Sequence, residues 1–454
     1  MPEPRDMKDA MPPRERVVLV GIEPARRPSR RPSTGGRVAE SLEELESLAR
    51  SAGADVAAKV VQRRSAPDAA WLVGAGKLEE LRQKVGAEGI DAVIVDHDLT
   101  PTQLRNLEDS LECKVLDRTQ LILDIFARRA RTREGQLQVE MAQLNYLLPR
   151  LSGRGTTMSR LGGGIGTRGP GETQLETDRR RIARRIRKIR EQLAKVRSSR
   201  LIQRRQRVSV PLPALAFVGY TNAGKSTLFN RVTGAGVYAD DRLFATLDPT
   251  VRLFTLPSRR QVVLSDTVGF IRNLPTTLVQ AFRATLEEVA EAALLLHVLD
   301  VSSPVADQQG VHVFQVLHEI GAASVPQLLV LNKIDRLEGG VDAGAILRRL
   351  VSELPSEDQH RNVCGRAVAV SAKTGEGIEE LTRVIDEILL LDPVRDVVFR
   401  FPLAAGHEFH LLYERGQVRS KTLDGETWRV EATVPESVAD RLRRFLERRK
   451  PEQG

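Results

Sequence analysis

Gly219-Tyr-Thr-Asn-Ala-Gly-Lys225-Ser226 fits the phosphate-loop pattern GxxxxGK(S/T), and it follows the apolar run 215–218. The pattern predicts a buried strand, a loop whose backbone N–H groups curl around phosphates, and a helix that starts near residue 227. Lys225 is expected to reach the outer phosphate oxygens, and the Ser226 hydroxyl is expected to bind Mg²⁺. Glycine at both ends of the loop allows close backbone approach. The stretch therefore predicts a P-loop domain that binds a nucleoside triphosphate.

A second motif, Asn332-Lys333-Ile-Asp335, directly follows the apolar run 327–331. Open α/β sheets bind ligands at the carboxyl ends of their strands, which is where this motif is expected. The Asp335 carboxylate can accept hydrogen bonds from the N1–H and the exocyclic amine of guanine, whereas adenine offers no such pair. Asn332 is expected to brace the loop and the Lys333 stem to cover the base. The motif predicts guanine, and the sequence leaves open whether ATP is also accepted.

Two segments between these motifs are predicted to sense the third phosphate. Asp266-Thr-Val-Gly269 follows the strand 261–265, and Phe244-Ala-Thr-Leu-Asp248 lies in the preceding polar connection. Asp266 is placed in the outer coordination sphere of Mg²⁺. The Gly269 N–H can donate a hydrogen bond to the γ-phosphate. Thr246 is expected to complete the metal shell. Both loops are expected to order only with triphosphate bound.

Ser371-Ala-Lys373 ends the run 367–370 and is predicted to close over the guanine from the far side. The whole set resembles the translation-factor class of GTPases. The predicted GTP-binding residues are Gly219, Tyr220, Thr221, Asn222, Ala223, Gly224, Lys225, Ser226, Thr227, Phe244, Ala245, Thr246, Leu247, Asp248, Asp266, Thr267, Val268, Gly269, Asn332, Lys333, Asp335, Ser371, Ala372 and Lys373. Catalysis is assigned to Lys225, Thr246 and Gly269, and the Mg²⁺ ligands to Ser226 and Thr246.

The residue after Gly269 is Phe270, where Ras-type GTPases have a glutamine that orients the attacking water. Phenylalanine cannot hydrogen bond to that water, so catalysis must come from positioning and electrostatic stabilisation. We therefore expect slow turnover of the isolated protein and strong stimulation by a partner. Asn222 lies in an NxGKS arrangement in which some GTPases seat K⁺, so a K⁺ site near Asn222 is a further prediction.

Length and composition indicate a multidomain protein of the reducing interior of the cell. The 454 residues allow about three domains, and an apolar content of 41% suffices for ordinary cores. Two cysteines, Cys113 and Cys364, are too few for a disulfide framework. No apolar run approaches the roughly 20 residues of a membrane helix. The start of the chain does not resemble a signal peptide. We expect a cytoplasmic protein without a membrane span, and a monomer.

Positive charge is concentrated in residues 118–207, which contain 23 Lys and Arg against 7 Asp and Glu, a surplus of +16. The whole chain carries +9, so the remainder sums to −7. Concentrated positive charge gains affinity for a phosphate backbone by releasing counterions. A solvated structural helix would normally balance its charges, yet Glu191 is the only acid among fourteen basic residues from Arg179 to Arg207. The segment predicts a nucleic-acid-binding limb.

The same limb has the periodicity of two amphipathic helices, with apolar residues in steps of three and four around 137–148 and 182–196. Pairing these stripes gives an antiparallel hairpin that projects from the body, although each helix could instead pack on the body. The connection 152–171 has eight glycines and no acid, which suits insertion into folded RNA. The predicted RNA-binding residues are Arg154, Arg160, Arg168, Arg179, Arg180, Arg184, Arg187 and Lys188.

The segments on either side of this core predict two small domains. Strands at 16–21, 55–61 and 91–95 alternate with helical patterns, which indicates an α/β domain. Asp96-His97-Asp98 is interpreted as a solvated strand end. Beyond residue 393, strands at 397–401, 409–413 and 427–433 and a helix at 435–449 indicate an α+β module.

The predicted fold is therefore α/β, with a P-loop GTPase domain whose sheet is rich in parallel strands. The predicted organisation is a disordered N-terminus at 1–15, an α/β subdomain at 16–117, the basic helical hairpin at 118–207 with its glycine-rich loop at 152–171, the GTPase domain at 208–392, and the C-terminal module at 395–450.

Three segments together give a more specific resemblance. They are residues 244–250, residues 266–270 and residues 163–180, which read Gly-Gly-Ile-Gly-Thr-Arg-Gly-Pro-Gly-Glu-Thr-Gln-Leu-Glu-Thr-Asp-Arg-Arg. The chain resembles the HflX family of ribosome-associated GTPases over about residues 16–395. The resemblance implies binding to the large (50S) ribosomal subunit and its rRNA, with the loop directed toward the peptidyl-transferase region. It also implies separation of stalled or idle ribosomes into subunits.

Two alternatives to ribosome splitting remain open at the level of sequence. The first is a GTPase that acts in assembly of the large subunit. The second is an RNA-binding scaffold that uses GTP only as a structural latch, which would show no partner-stimulated release of phosphate.

Overall fold

The computed structural model describes residues 14–24, 35–151, 170–207, 212–234, 243–244, 246–272, 288–338, 342–352, 363–391, 394–402, 405, 408–409, 412–413, 417–425 and 427–447. The N-terminus predicted to be disordered lies outside these ranges except for Arg14 and Glu15, as do residues 152–169 of the predicted loop. The chain divides into two compact units. The first comprises residues 1–199, 240–247 and 273–282, and the second comprises the rest.

A parallel sheet of four strands forms the centre of the first unit. Its strands are β1 (Arg16–Pro24), β2 (Asp55–Arg64), β3 (Ala92–Val95) and β4 (Lys114–Asp117), and they alternate with α1 (Gly35–Ser51), α2 (Ala75–Glu88) and α3 (Pro101–Leu111). The strand order is β2-β1-β3-β4. Residues 17–20 of β1 are fully buried, as expected for a central strand covered on both faces. The predicted α/β domain is confirmed, with β4 as an additional strand.

An ionic cluster occupies the carboxyl ends of β3 and β4. The buried Arg118 side chain donates to Asp96 at 2.8 Å and also contacts Glu44. Thr119 donates to Asp98 at 2.6 Å. The interpretation of residues 96–98 as a solvated strand end holds for His97 and Asp98, which are exposed, whereas the Asp96 carboxylate is largely buried against Arg118.

The first unit also contains α4 (Arg118–Arg129), α5 (Arg133–Arg150) and α6 (Pro170–Arg207) as far as Ser199. Leu137 of α5 packs with Ile189 and Leu193 of α6. Arg185 of α6 donates to Glu140 of α5 at 2.6 Å. These contacts agree with the predicted antiparallel pair.

The expected projection of the hairpin from the body does not hold for α5. This helix packs on α4 as well as on α6. Its last residue, Arg150, donates to Asp117 at 3.1 Å and to the Leu99 carbonyl at 2.9 Å. Helix α4 itself buries Ile122 and Phe126 and contacts β3 and β4, so it belongs to the layer that covers the sheet. The helical pair thus consists of α5 and α6 and begins at Arg133.

The second unit contains a six-stranded sheet in the order β10-β9-β8-β5-β7-β6. The strands are β5 (Ala214–Gly219), β6 (Thr250–Thr255), β7 (Gln261–Asp266), β8 (Leu294–Asp300), β9 (Gln327–Asn332) and β10 (Val363–Ala369). The helices are α7 (Lys225–Thr233), α8 (Ala306–Glu319), α9 (Ala343–Ser352) and α10 (Ile378–Leu391), with a 3₁₀ turn at Ile334–Arg336. Only β6 runs antiparallel to its neighbour. This sheet confirms the predicted P-loop domain.

A three-stranded antiparallel sheet follows in the same unit, in the order β11-β13-β12. Its elements are β11 (Val394–Pro402), β12 (Gln417–Asp424), β13 (Thr427–Pro435), α11 (Glu436–Arg441) and a 3₁₀ turn at Arg443–Phe445. The strand predicted at 409–413 is wrong. Phe409 and Tyr413 lie in helical turns, with their rings 5.1 Å apart, because residues four apart meet on a helix.

The helix predicted at 435–449 is also shorter than expected. The chain leaves α11 after Arg441, and Leu446 forms a bridge to Phe399 of β11. Among all helices within the described ranges, none combines the length and the apolar content needed to cross a bilayer.

Candidate nucleotide and RNA sites

The phosphate loop connects β5 to α7 at the carboxyl end of the central strand. Gly219 has φ 150°, and a Cβ there would lie 2.3 Å from the Val298 carbonyl oxygen. Gly224 has φ 92°, and a Cβ there would lie 2.2 Å from Asn332 Nδ2. Only glycine fits at both positions, because any side chain would meet atoms of the neighbouring strands. The loop is therefore seated directly against β8 and the predicted base motif.

Lys225 is buried beneath the loop that it follows. Its ammonium donates to the Tyr220 carbonyl at 2.8 Å and to the Gly219 carbonyl at 3.2 Å. Burial lowers the pKa of Lys225 to about 8, while Asp266 opposes the shift and Lys333 adds to it. An anion beside this ammonium would favour its charged form. The geometry suits a lysine that meets phosphate oxygens.

Ser226 and Asp266 lie side by side at the start of α7 and the end of β7. The Ser226 hydroxyl donates to Asp266 Oδ2 at 2.7 Å, and Asp266 is fully buried. A hydroxyl and a carboxylate are the oxygen donors that Mg²⁺ takes in proteins. These two residues therefore fit the ion that the sequence assigns to this place.

Gly269 and Phe270 pack against the phosphate loop. A Cβ on Gly269 would lie 2.9 Å from Lys225 Nζ and 2.9 Å from Thr221 Cα. Phe270 donates its N–H to the Gly219 carbonyl at 3.0 Å and accepts from the Thr221 N–H at 2.7 Å. Its ring is only 1% exposed. The side chain that replaces the usual glutamine is thus part of the core.

The predicted base motif and the segment 371–373 come together. Asn332 donates from Nδ2 to the Ala223 carbonyl at 2.8 Å and accepts from the Ala372 N–H at 3.0 Å, so it braces both loops as expected. Ser371 donates to Asp335 Oδ1 at 2.7 Å. That bond orients the carboxylate that is assigned to the guanine edge. The sequence did not identify Asp300, which pairs with Lys333 at 2.6 Å and directly follows the apolar part of β8.

The predicted sensor segment 244–248 is divided between the two units. Phe244, Thr246 and Leu247 belong to the first unit, whereas Asp248 belongs to the second. The Phe244 ring packs edge-on against Phe126 of α4 at 4.5 Å between centroids. Ala245 lies outside the described residues. The role of Thr246 as a metal ligand stays a prediction.

Most basic residues assigned to RNA on α6 are exposed and have no acidic partner. Arg179, Arg184, Arg187 and Lys188 are exposed, and within the described ranges none of them lies within ion-pair distance of a carboxylate. Arg180 is exposed but pairs with Glu176 at 2.6 Å. Arg154, Arg160 and Arg168 lie outside the described residues.

Three family models match successive parts of the chain. Residues 39–127 match the GTP-binding GTPase N-terminal model, 129–207 match the GTP-binding GTPase middle region, and 214–333 match the 50S ribosome-binding GTPase model. The GTPase HflX of Caldanaerobacter subterraneus is 48% identical over 90% of this chain and 90% of its own length. The GTPase HflX of Escherichia coli is 46% identical over 84% of each chain.

The chain belongs to the HflX family of GTPases. A crystal structure of a GTP-binding protein from Sulfolobus solfataricus with GDP is 25% identical, covers 82% of this chain and 98% of that one, and gives a TM-score of 0.44. As an HflX-family GTPase, the protein binds GTP and hydrolyses it to GDP and phosphate.

Proposed function

We propose that this HflX-family GTPase is a cytoplasmic factor that binds the large ribosomal subunit and its rRNA and separates stalled or idle ribosomes into subunits. The basic face of α6, formed by Arg179, Arg184, Arg187 and Lys188, carries the proposal, because these four side chains have no ion-pair partner within the described residues. Positive charge without local acidic partners is available to an RNA phosphate backbone. The family description, 50S ribosome-binding GTPase, supports the large subunit as the source of that RNA.

The proposed GTP site contains the residues assigned from sequence. Lys225 meets the β- and γ-phosphates, the Gly269 N–H meets the γ-phosphate, and Asp335 accepts from the guanine edge. Ser226 and Thr246 are the proposed ligands of Mg²⁺, and Asp266 would lie in its outer coordination sphere. The ion would neutralise the charge that develops on the phosphates. A K⁺ site near Asn222 stays a prediction. The monomeric state of the protein also stays a prediction.

The isolated enzyme is proposed to be slow and to be stimulated by the ribosome. Phe270 offers no polar side chain to the attacking water, and its ring is packed in the core. Positioned backbone N–H groups and the Lys225 ammonium contribute to rate acceleration by the isolated protein. A partner that orders the loops and the water would raise the rate.

Sedimentation of intact ribosomes tests the proposal. Purified protein is mixed with ribosomes and GTP, and the distribution between intact particles and subunits is measured on a gradient. We expect intact particles to be converted to subunits, and the Arg184→Gln/Lys188→Gln double variant to do so less well. Loss of two phosphate contacts should also reduce the slope of log affinity against log salt by about 2.

An Arg348→Gln/Arg349→Gln double variant removes the same charge from α9 and should split ribosomes normally. Intact particles that persist at saturating protein would overturn the splitting function and favour a role in subunit assembly. Absence of ribosome-stimulated phosphate release would instead favour a GTP-latched scaffold.

A further inference from the structure

The Thr221 hydroxyl is buried in the phosphate loop without a partner. Thr221 is 7% exposed, and its Oγ1 makes no hydrogen bond to any part of the chain that the structure describes. A buried hydroxyl that lacks a partner costs free energy, and native proteins usually satisfy such groups. An orphaned hydroxyl inside a phosphate loop therefore points to a ligand that completes its hydrogen bonding.

Thr221 borders the place that the terminal phosphate takes in a P-loop. A Cβ built on Gly269 would lie 2.9 Å from Thr221 Cγ2 and 2.9 Å from Lys225 Nζ. Thr221 Cγ2 and Lys225 Nζ therefore both lie beside Gly269. The lysine of a P-loop reaches the β- and γ-phosphates, so the Thr221 side chain lies at the γ-phosphate end.

The backbone around Thr221 is held on both sides. Its N–H donates to the Phe270 carbonyl at 2.7 Å, and Phe270 in turn donates to the Gly219 carbonyl at 3.0 Å. These bonds position the Thr221 side chain relative to the segment that carries Gly269. They also turn the Phe270 ring into the core, so position 270 presents only backbone to the nucleotide. A residue whose backbone is held in this way needs little reorganisation during a reaction.

We propose that Thr221 is a catalytic residue whose hydroxyl hydrogen bonds to the γ-phosphoryl group and the attacking water in the transition state. The water oxygen bonds to the γ-phosphorus while the bond from that phosphorus to the β–γ bridging oxygen breaks. The proton that the water loses ends on inorganic phosphate, and GDP leaves with the bridging oxygen. The Thr221 hydroxyl donates and accepts hydrogen bonds throughout and is itself unchanged. It supplies the polar contact that Phe270 lacks.

Replacement of Thr221 by serine and by alanine isolates the hydroxyl, because both variants lack the methyl group. Single-turnover hydrolysis of GTP without ribosomes measures the chemical step. We expect the rate constant to fall at least about 10-fold in Thr221→Ala and in the isosteric Thr221→Val, and to stay within about 3-fold of wild type in Thr221→Ser. Affinities for GDP and for guanosine 5′-(β,γ-imido)triphosphate should change by less than about 3-fold in all three.

Thr382→Val is the matched control, since that buried threonine bonds to the Glu379 carbonyl on its own helix. The control should hydrolyse GTP at the wild-type rate. A wild-type rate constant in Thr221→Ala would overturn the proposal. An equal loss in the serine and alanine variants would overturn it too, because shape and not the hydroxyl would then matter. A parallel loss of GDP affinity would assign Thr221 to binding and would likewise reject the catalytic role.

Discussion

At the scale of single residues, Asp335 is assigned to the choice of base. Its Oδ1 already accepts from Ser371 at 2.7 Å, which orients the carboxylate. Asp335→Asn replaces an acceptor by an amide whose NH₂ faces donors on guanine, so we expect GTP affinity to fall roughly 100-fold. The amide can instead donate to the 2-oxo group of xanthine. Competition between GTP and xanthosine triphosphate measures the shift.

Asp342→Asn is the control for that prediction, because Asp342 is an exposed carboxylate at the start of α9 that accepts from the Ala345 N–H. It should keep the preference for guanine. Unchanged discrimination in Asp335→Asn would remove the residue from the base pocket.

Titration of the buried His297 is predicted to make the free energy of unfolding depend on pH. Burial lowers its pKa from 6.5 to about 4, Gln327 opposes the shift, and Lys225 adds to it. Between these two values the unfolded chain binds a proton that the folded protein does not, so the free energy of unfolding falls as pH falls. The loss should amount to about 2 kcal/mol at about pH 5 and roughly 3 kcal/mol below pH 4.

Denaturant unfolding at several pH values tests this prediction. His297→Phe, which keeps a ring beside Phe314 of α8, should lose that part of the acid sensitivity. His318→Gln removes an exposed histidine from the same helix and should retain it. An unchanged pH dependence in His297→Phe would assign the acid sensitivity to other groups.

At the scale of elements, the sequence predicts best where a local signal sets the structure. The strand at 215–218 and the helix after Lys225 were predictable because a buried apolar run precedes a loop of fixed spacing. Strand β4 was not, because only two of its four residues are apolar, whereas all four residues of β3 are. The strand assigned to 409–413 failed because its apolar residues also fit helical spacing, and tertiary packing decides between the two.

Some contacts between distant segments of the site could not be predicted from the sequence. The motif at 332–335 did predict that Asn332 braces a loop, and Asn332 donates to the Ala223 carbonyl. The pairing of Lys333 with Asp300 and the unpartnered Thr221 hydroxyl have no sequence signal of their own, because both depend on how separate loops meet.

At the scale of the whole molecule, the helical pair proposed to bind RNA and most of the predicted nucleotide sensor belong to one compact unit. Phe126 of α4 is fully buried and contacts Phe244 at 4.5 Å, and α4 also packs on α5 of the helical pair. The connection that contains Thr246 is therefore built into the unit that carries α6. We predict that a change at the helices reaches this connection through the Phe126 ring.

We expect Phe126→Leu to reduce ribosome stimulation of GTP hydrolysis by at least about fivefold while basal hydrolysis stays near wild type, because coupling energies of about 1–3 kcal/mol are typical. Hydrolysis is measured with and without ribosomes, after thermal unfolding has shown that the variant folds. Phe445→Leu loosens an aromatic pair in the C-terminal module, where Phe445 lies 4.9 Å from Phe401, and should keep full stimulation. If Phe126→Leu is stimulated as strongly as the wild type, the Phe126–Phe244 contact does not transmit ribosome binding to the nucleotide.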